Sequence, residues 1–209
     1  MGEAAAQEGL VSARSLPAFL SASLHQNANF ALPLVFSSRQ TLVTAPDFVE
    51  SVLRLNSRAI ALYSNHVARK ASFAQGAALL RLALSTYASA NPRTHVLLDI
   101  RKAVKKRKQE GVHYAVLFGV VCALLDVAVE STQRMFLYVT TRDILSAATR
   151  LNLVGPFEAA KLQFELTPLL EKVVRDKKDR EVEDSYSSAP ILDLVQAMHD
   201  QLYTRIFNS

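Results

Sequence analysis

The 209 residues predict an all-α fold, a single-domain bundle of about seven to eight helices, and three observations carry that reading. Half of the residues are hydrophobic, enough for one sizeable core, because a chain of this length buries about 70% of its unfolded surface. With 6 glycines, 7 prolines, 8% aromatic residues and no tryptophan, the composition turns away from fibrous, low-complexity and β-sandwich classes. Apolar residues recur at helical spacing along most of the chain, with no convincing strand pair or internal repeat.

Residues 1–14 read as a flexible N-terminus. Glu3 and Glu8 lie there with no apolar stretch behind a positive region, unlike a signal or transit peptide. Ser15-Leu16-Pro17 opens the helical domain, 15–209, with a hydroxyl cap and a proline in the first turn; Phe19, Leu20, Leu24 and Ala28 follow until Pro33 bends or ends the helix. Ala45-Pro46-Asp47 opens a helix carrying Phe48, Val52 and Leu55, and an alanine-rich helix runs from about Ser57 to Tyr87, where Asn91-Pro92 stops it. From Thr94, the residues Val96, Leu97, Ile100 and Val104 form one narrow apolar stripe on a helix otherwise covered by lysine and arginine, and Gly111 breaks it.

The run Gly111 to Leu125 carries no charge and is closed by Asp126; it falls short of the ~20 residues of a bilayer crossing and reads as a buried core helix. Val129 to Leu153 is the longest pattern, with Met135, Phe136, Val139, Ile144, Leu145, Ala148 and Leu151 facing inward up to a Gly155-Pro156 stop. Phe157 to about Val174 gives a further helix with an irregularity at Pro168. The charge-dense stretch at about 175–187 reads as a solvated linker, and Ser188-Ala189-Pro190 caps a C-terminal helix or tail, 188–209, with Ile191, Leu194, Val195, Met198, Leu202 and Ile206 as its stripe.

The formal net charge of +5 is local. Arg93, Arg101, Lys102, Lys105, Lys106, Arg107 and Lys108 stand against Asp99 and Glu110 within 91–111, which accounts for the whole excess. That surface is a solvated helix face or a docking patch for an acidic protein. RNA is the weaker reading, because no phenylalanine, tyrosine or tryptophan for base stacking lies between Arg93 and Glu110.

Catalytic constellations are missing from the sequence. Neither a GxxxxGK[ST] nor a GxGxxG phosphate cradle occurs. His25, His66, His95, His113 and His199 are dispersed without a HExxH or a partnering cysteine, so each reads as a capping or surface imidazole. Cys122 is the single cysteine, in an apolar run with nothing beside it to stabilise a thiolate. A non-enzyme is expected, with no cofactor and no metal site, cytoplasmic and off the membrane. Gly76 is the informative glycine: inside a helix it costs about 1 kcal/mol relative to alanine, which calls for close approach of another helix, within the domain or across a dimer. Ser72 and Gln75 lie on neighbouring turns as polar groups available to a partner.

Four stretches, in order, resemble the urease accessory protein F family (UreF). They are Arg69-Lys70-Ala71-Ser72-Phe73-Ala74-Gln75-Gly76-Ala77-Ala78-Leu79-Leu80-Arg81; His113-Tyr114-Ala115-Val116-Leu117-Phe118-Gly119-Val120-Val121; Leu145 through Arg150-Leu151-Asn152-Leu153-Val154-Gly155; and Ala189-Pro190 through His199-Asp200-Gln201-Leu202-Tyr203-Thr204-Arg205-Ile206-Phe207-Asn208-Ser209. Their order covers the chain from about Leu16 to its last residue. The family's N-terminal segment, of the type Ser-Asp-Ser-Ala-Leu-Pro-x-Gly-x-Phe and then Ser-x-Gly-Leu-Glu, has no counterpart; Phe30 to Phe36 echoes it without the glycine. The chain thus reads as a short form of the family, natural or from an incomplete gene.

The resemblance implies a helical, non-catalytic accessory protein that works as a homodimer. It implies binding to the D/H-type accessory protein, recruitment of the G-type GTPase and delivery of nickel to apo-urease. It also points to the C-terminal tail as the partner-binding element, carried onto His199, Tyr203 and Arg205, with Phe207 beside them. Tyrosine, arginine and phenylalanine are residue types found at interface hot spots, and a terminal amphipathic helix docks on a partner or packs on its own domain. The alternative function is a basic helical adaptor or RNA-associated protein acting through residues 93–108.

Overall fold

The computed structural model describes residues 11–41, 46–189 and 197. Among these residues the chain forms nine α-helices and no strand: α1 (Leu16–Phe30), α2 (Leu32–Gln40), α3 (Phe48–Leu62), α4 (His66–Tyr87), α5 (Val96–Lys106), α6 (Tyr114–Leu124), α7 (Val129–Arg150), α8 (Pro156–Glu165) and α9 (Thr167–Lys177), with short 3-10 turns at Pro92–His95 and Val182–Asp184. The all-α, single-domain expectation holds. Proline divides two of the expected helices: Pro33 and Pro168 each sit in the first turn of a new helix, so α2 starts after Ala31 and α9 after Leu166. The break between α3 and α4 falls at Tyr63-Ser64-Asn65 and not near Ser57. There the Asn65 side chain accepts the N–H groups of Val67 and Ala68 at 2.9 and 3.2 Å, an N-cap that starts α4.

The uncharged run becomes α6, and every residue from Ala115 to Leu124 is buried. Its neighbours are held at the distances its small residues permit. α2 crosses at Gly119, where an added Cβ would lie 2.1 Å from Ser38 Oγ and 2.4 Å from the Val35 carbonyl oxygen. α4 crosses the helix start at Gly76, where a Cβ would stand 2.0 Å from the Val112 carbonyl oxygen. α3 contributes Val52, Leu53 and Ala59, α5 contributes Leu97, Ile100 and Val104, and Phe136 of α7 packs edge-on against Phe118 at 5.4 Å. A smaller cluster joins Leu16, Phe19 and Leu20 of α1 to Leu145, Ala148 and Leu162, closing the bundle where α7 turns into α8.

Helix ends depart from the sequence reading. α5, α6 and α7 each end on a non-glycine residue in the left-handed region, Lys108, Asp126 and Asn152, all at φ 55. In each, the next N–H reaches back to a helix carbonyl: Gln109 to Val104 at 3.2 Å, Val127 to Cys122 at 2.9 Å and Leu153 to Ala148 at 3.0 Å. Gly111 is therefore not the breaker of α5, and Gly155-Pro156 starts α8 after Asn152 has ended α7. Ser15 precedes α1 as expected, but its hydroxyl bonds Ser12 and not the helix N–H groups.

Met135 is 38% exposed, and the inward row of α7 runs through Gln133, Phe136, Leu137, Thr141, Leu145 and Ala148. Its polar members are satisfied inside the fold, the Thr141 hydroxyl donating to the Leu137 carbonyl at 2.9 Å and the Gln133 amide to Asp179 at 2.9 Å, so a count of apolar residues does not find them.

Gly119→Ala is expected to destabilise the fold by about 3 kcal/mol, the upper end of overpacking costs, because the new methyl meets the Val35 carbonyl and the Arg39 backbone nitrogen as well as the Ser38 hydroxyl, and the backbone atoms cannot swing aside. Gly155→Ala, with nothing within 4 Å of the added Cβ, should change stability by less than about 1 kcal/mol. Urea unfolding of the two variants measures both; equal losses would contradict the crossing geometry.

Candidate functional site

The start of α6 is buried, so its unpaired N–H groups need acceptors from other elements. Asn56 of α3 provides the first: its Oδ1 accepts the His113 N–H at 2.9 Å while its amide donates to the Gly111 carbonyl at 2.8 Å. Ser72 of α4 provides the second, its Oγ accepting the Tyr114 N–H at 3.1 Å. Ser72 also bonds His113 Nδ1 at 3.0 Å and the Tyr63 hydroxyl, making it the centre of a sealed polar cluster. Gly76, one turn along α4, allows this approach.

His113 corrects the expectation of a capping or surface imidazole, being fully buried. Its ring lies between Tyr63, stacked at 4.4 Å, and Phe73, at 4.1 Å, and its Nε2 has no hydrogen-bond partner among the described residues. Burial, with a smaller contribution from the Arg69 charge, lowers its pKa from 6.5 to about 4, so the ring is neutral at pH 7. The serine and histidine have the separation of a nucleophile and its base, but no carboxylate among the described residues orients the ring and both side chains are buried. The cluster is a structural clasp. A sequence signal for it existed, since Ser72 and His113 belong to two of the stretches that resemble one family; their contact across 41 positions did not.

Of the predicted partner-binding residues, Ser72 and Gly76 face the chain's own core and Gln75, between them, is exposed. His199, Tyr203, Arg205 and Phe207 lie outside the described residues. What leads toward them is well placed. The stretch expected as a solvated linker, 175–187, is instead bonded to the bundle: Arg180 donates to the Ala28 carbonyl, Ser37 Oγ donates to Glu181 at 2.9 Å and accepts the Val182 N–H at 2.9 Å, and Val182 is buried. Beyond it the Tyr186 N–H reaches the Asn29 carbonyl at 3.1 Å, and Gln26 donates to Ser187 at 3.0 Å and accepts the Ser188 hydroxyl at 3.0 Å. Residue 189 is thus delivered beside the C-terminal half of α1.

Cys122 is buried, and burial pushes its thiol up, away from the reactive thiolate. Among the described residues no group of three or more His, Cys, Asp or Glu is gathered to hold a metal ion, and no helix is long and apolar enough to cross a membrane.

The lowered pKa of His113 has a signed consequence. Between pH 6.5 and 4 the unfolded chain takes up a proton that the folded chain refuses, so stability is full above pH 6.5 and falls as pH drops toward 4. Against His113→Asn, the wild-type advantage in denaturant unfolding should shrink by on the order of 3 kcal/mol from pH 7 to pH 4. A pH-independent difference would place the imidazole in water.

A family model described as UreF matches residues 10–167 and contains three of the four resembling stretches. The chain is 36% identical over 206 residues to urease accessory protein F of Oryza sativa subsp. indica, covering 98% of this chain and 76% of that protein. Urease accessory protein F of Arabidopsis thaliana is 38% identical over 208 residues, covering 99% of this chain and 83% of its own length. An uncharacterized UreF-like urease accessory protein of Schizosaccharomyces pombe is 32% identical over 204 residues, covering 93% and 80%. On the family model and these identities, the chain belongs to the urease accessory protein F family.

Proposed function

We propose that this chain is a scaffold of urease maturation: a cytoplasmic homodimer that binds the D/H-type accessory protein and, with it, recruits the G-type GTPase to apo-urease for nickel delivery. The observation that carries the reading is family membership over nearly the whole chain. Membership supports a role in urease maturation as an accessory protein and not an enzyme. The use of the chain's polar and small residues agrees with that division of labour. Gly76 and Gly119 serve helix crossings, Ser72 caps α6 and Cys122 is buried in that helix, so these residues hold the bundle together.

Partner contact is assigned to the C-terminal residues His199, Tyr203, Arg205 and Phe207, with exposed Gln75 as a candidate on α4. The bonded segment 178–188 supports this assignment, because it fixes the point from which the tail departs and reduces the conformational freedom that binding must restrict. Nickel is cargo in this reading, handed on within the assembly.

Co-expression with the D/H-type protein followed by pull-down should recover a complex. Arg205→Ala should weaken it by about 2 kcal/mol, roughly thirtyfold in Kd by titration calorimetry. Failure of the intact chain to bind would sink the scaffold assignment; undiminished binding by Arg205→Ala would move the contact off the tail.

A further inference from the structure

The exposed cationic face of α5 plays no part in the contacts above. α5 buries Leu97, Ile100 and Val104 and presents Arg101, Lys102, Lys105 and Lys106 to solvent, with Lys108 just past its end. Those on the helix occupy about 8 Å of axis at 1.5 Å per residue. Lys102 pairs with Asp99 at 3.1 Å, whereas Arg101, Lys105, Lys106 and Lys108 have no carboxylate partner among the described residues. The helix carrying them is fixed at both ends: Arg93 is bonded to Asp126 and to the Leu124 carbonyl, and Arg107 to Glu50. Four cations on one short, anchored element repel one another and are held together only by the fold.

We propose that this face is a docking surface for a short acidic polypeptide segment of a partner protein. Its boundaries select that occupant. Asp99, Glu110, Glu50 and Asp126 lie at its margins, so the positive surface ends within about two helical turns. A nucleic-acid strand would continue past it onto those carboxylates, while a run of a few glutamates or aspartates fits inside. No phenylalanine, tyrosine or tryptophan lies along 93–110 to give a strand of bases a stacking platform. The inference rests on this surface and is independent of the urease-maturation reading.

A fluorescein-labelled oligoglutamate peptide, titrated with the full chain by anisotropy, tests it, with a mixed-sequence RNA oligonucleotide as the competing probe. Expected are binding of the peptide more tightly than the RNA, weakening as salt rises from about 50 to about 300 mM, and loss of at least about tenfold in the triple variant Lys105→Gln, Lys106→Gln, Lys108→Gln. Because these side chains are exposed, that variant should keep the wild-type melting temperature. The triple variant Lys172→Gln, Arg175→Gln, Lys177→Gln on α9 should bind like wild type. No measurable peptide binding, or equal losses in both variants, overturns the proposal; tighter binding of RNA transfers the surface to nucleic acid.

Discussion

A helix buried on every face must have both of its ends hydrogen-bonded by side chains from elsewhere, and much of this fold follows from that constraint on α6. At its start Asn56 and Ser72 take the N–H groups of His113 and Tyr114. At its end the Leu124 carbonyl receives Asn91 at 2.8 Å and Arg93 at 2.9 Å, and the Val127 carbonyl just beyond receives Arg39 at 2.8 Å. Five side chains from α2, α3, α4 and the Pro92–His95 region thereby set where those elements lie relative to one buried rod. Gly76 and Gly119 make the arrangement possible by removing the two side chains that would hold α4 and α2 away.

This constraint separates what was legible in the sequence from what was not. The uncharged run ending at Asp126 announced α6, and the stripe Leu97, Ile100, Val104 announced the buried edge of α5, because both are patterns of single residues in order. Gly76 was legible as a close approach, though not its partner, since the Val112 carbonyl lies in another element. The clasp of Tyr63, Ser72 and His113 was not legible. Each residue has an ordinary local role, and only their meeting shows that the imidazole is a buried stacking plate. Met135, expected inward on α7, is exposed while Gln133 is buried, for a related reason: Gln133 bonds Asp179, 2.9 Å away and 46 residues on.

Burial also bears on what kind of protein this is. Among the described residues the Ser72–His113 contact, Cys122 and the closely packed helical glycines Gly76 and Gly119 all lie inside the bundle and hold it together. Reactive chemistry needs exposure, an orienting partner and room for a substrate, and the buried clasp offers none of them. Membership of a family of urease accessory proteins agrees with a core whose polar residues serve packing.

Two charge-dense segments, 93–110 and 171–184, differ in sequence, the first being almost all of one sign and the second mixed, and they differ again in what their charges bond. In 171–184 most of the charges are engaged. Glu171 pairs with Arg134, Lys178 with Glu130, Glu183 with Arg58, Glu181 with Ser37, and Arg180 with the end of α1. Individually, such exposed pairs contribute about 1 kcal/mol or less, but together with the burial of Val182 they fix a segment that has little regular structure of its own beyond the end of α9. α5 has the opposite arrangement. Its apolar stripe already fixes it, its outer cations have almost nothing to bind among the described residues, and their mutual repulsion is a standing cost that the fold tolerates. Charge that stabilises its own chain is bonded and interleaved in sign; charge of one sign, unbonded and on a rigid mount, is a surface shaped for something outside the chain.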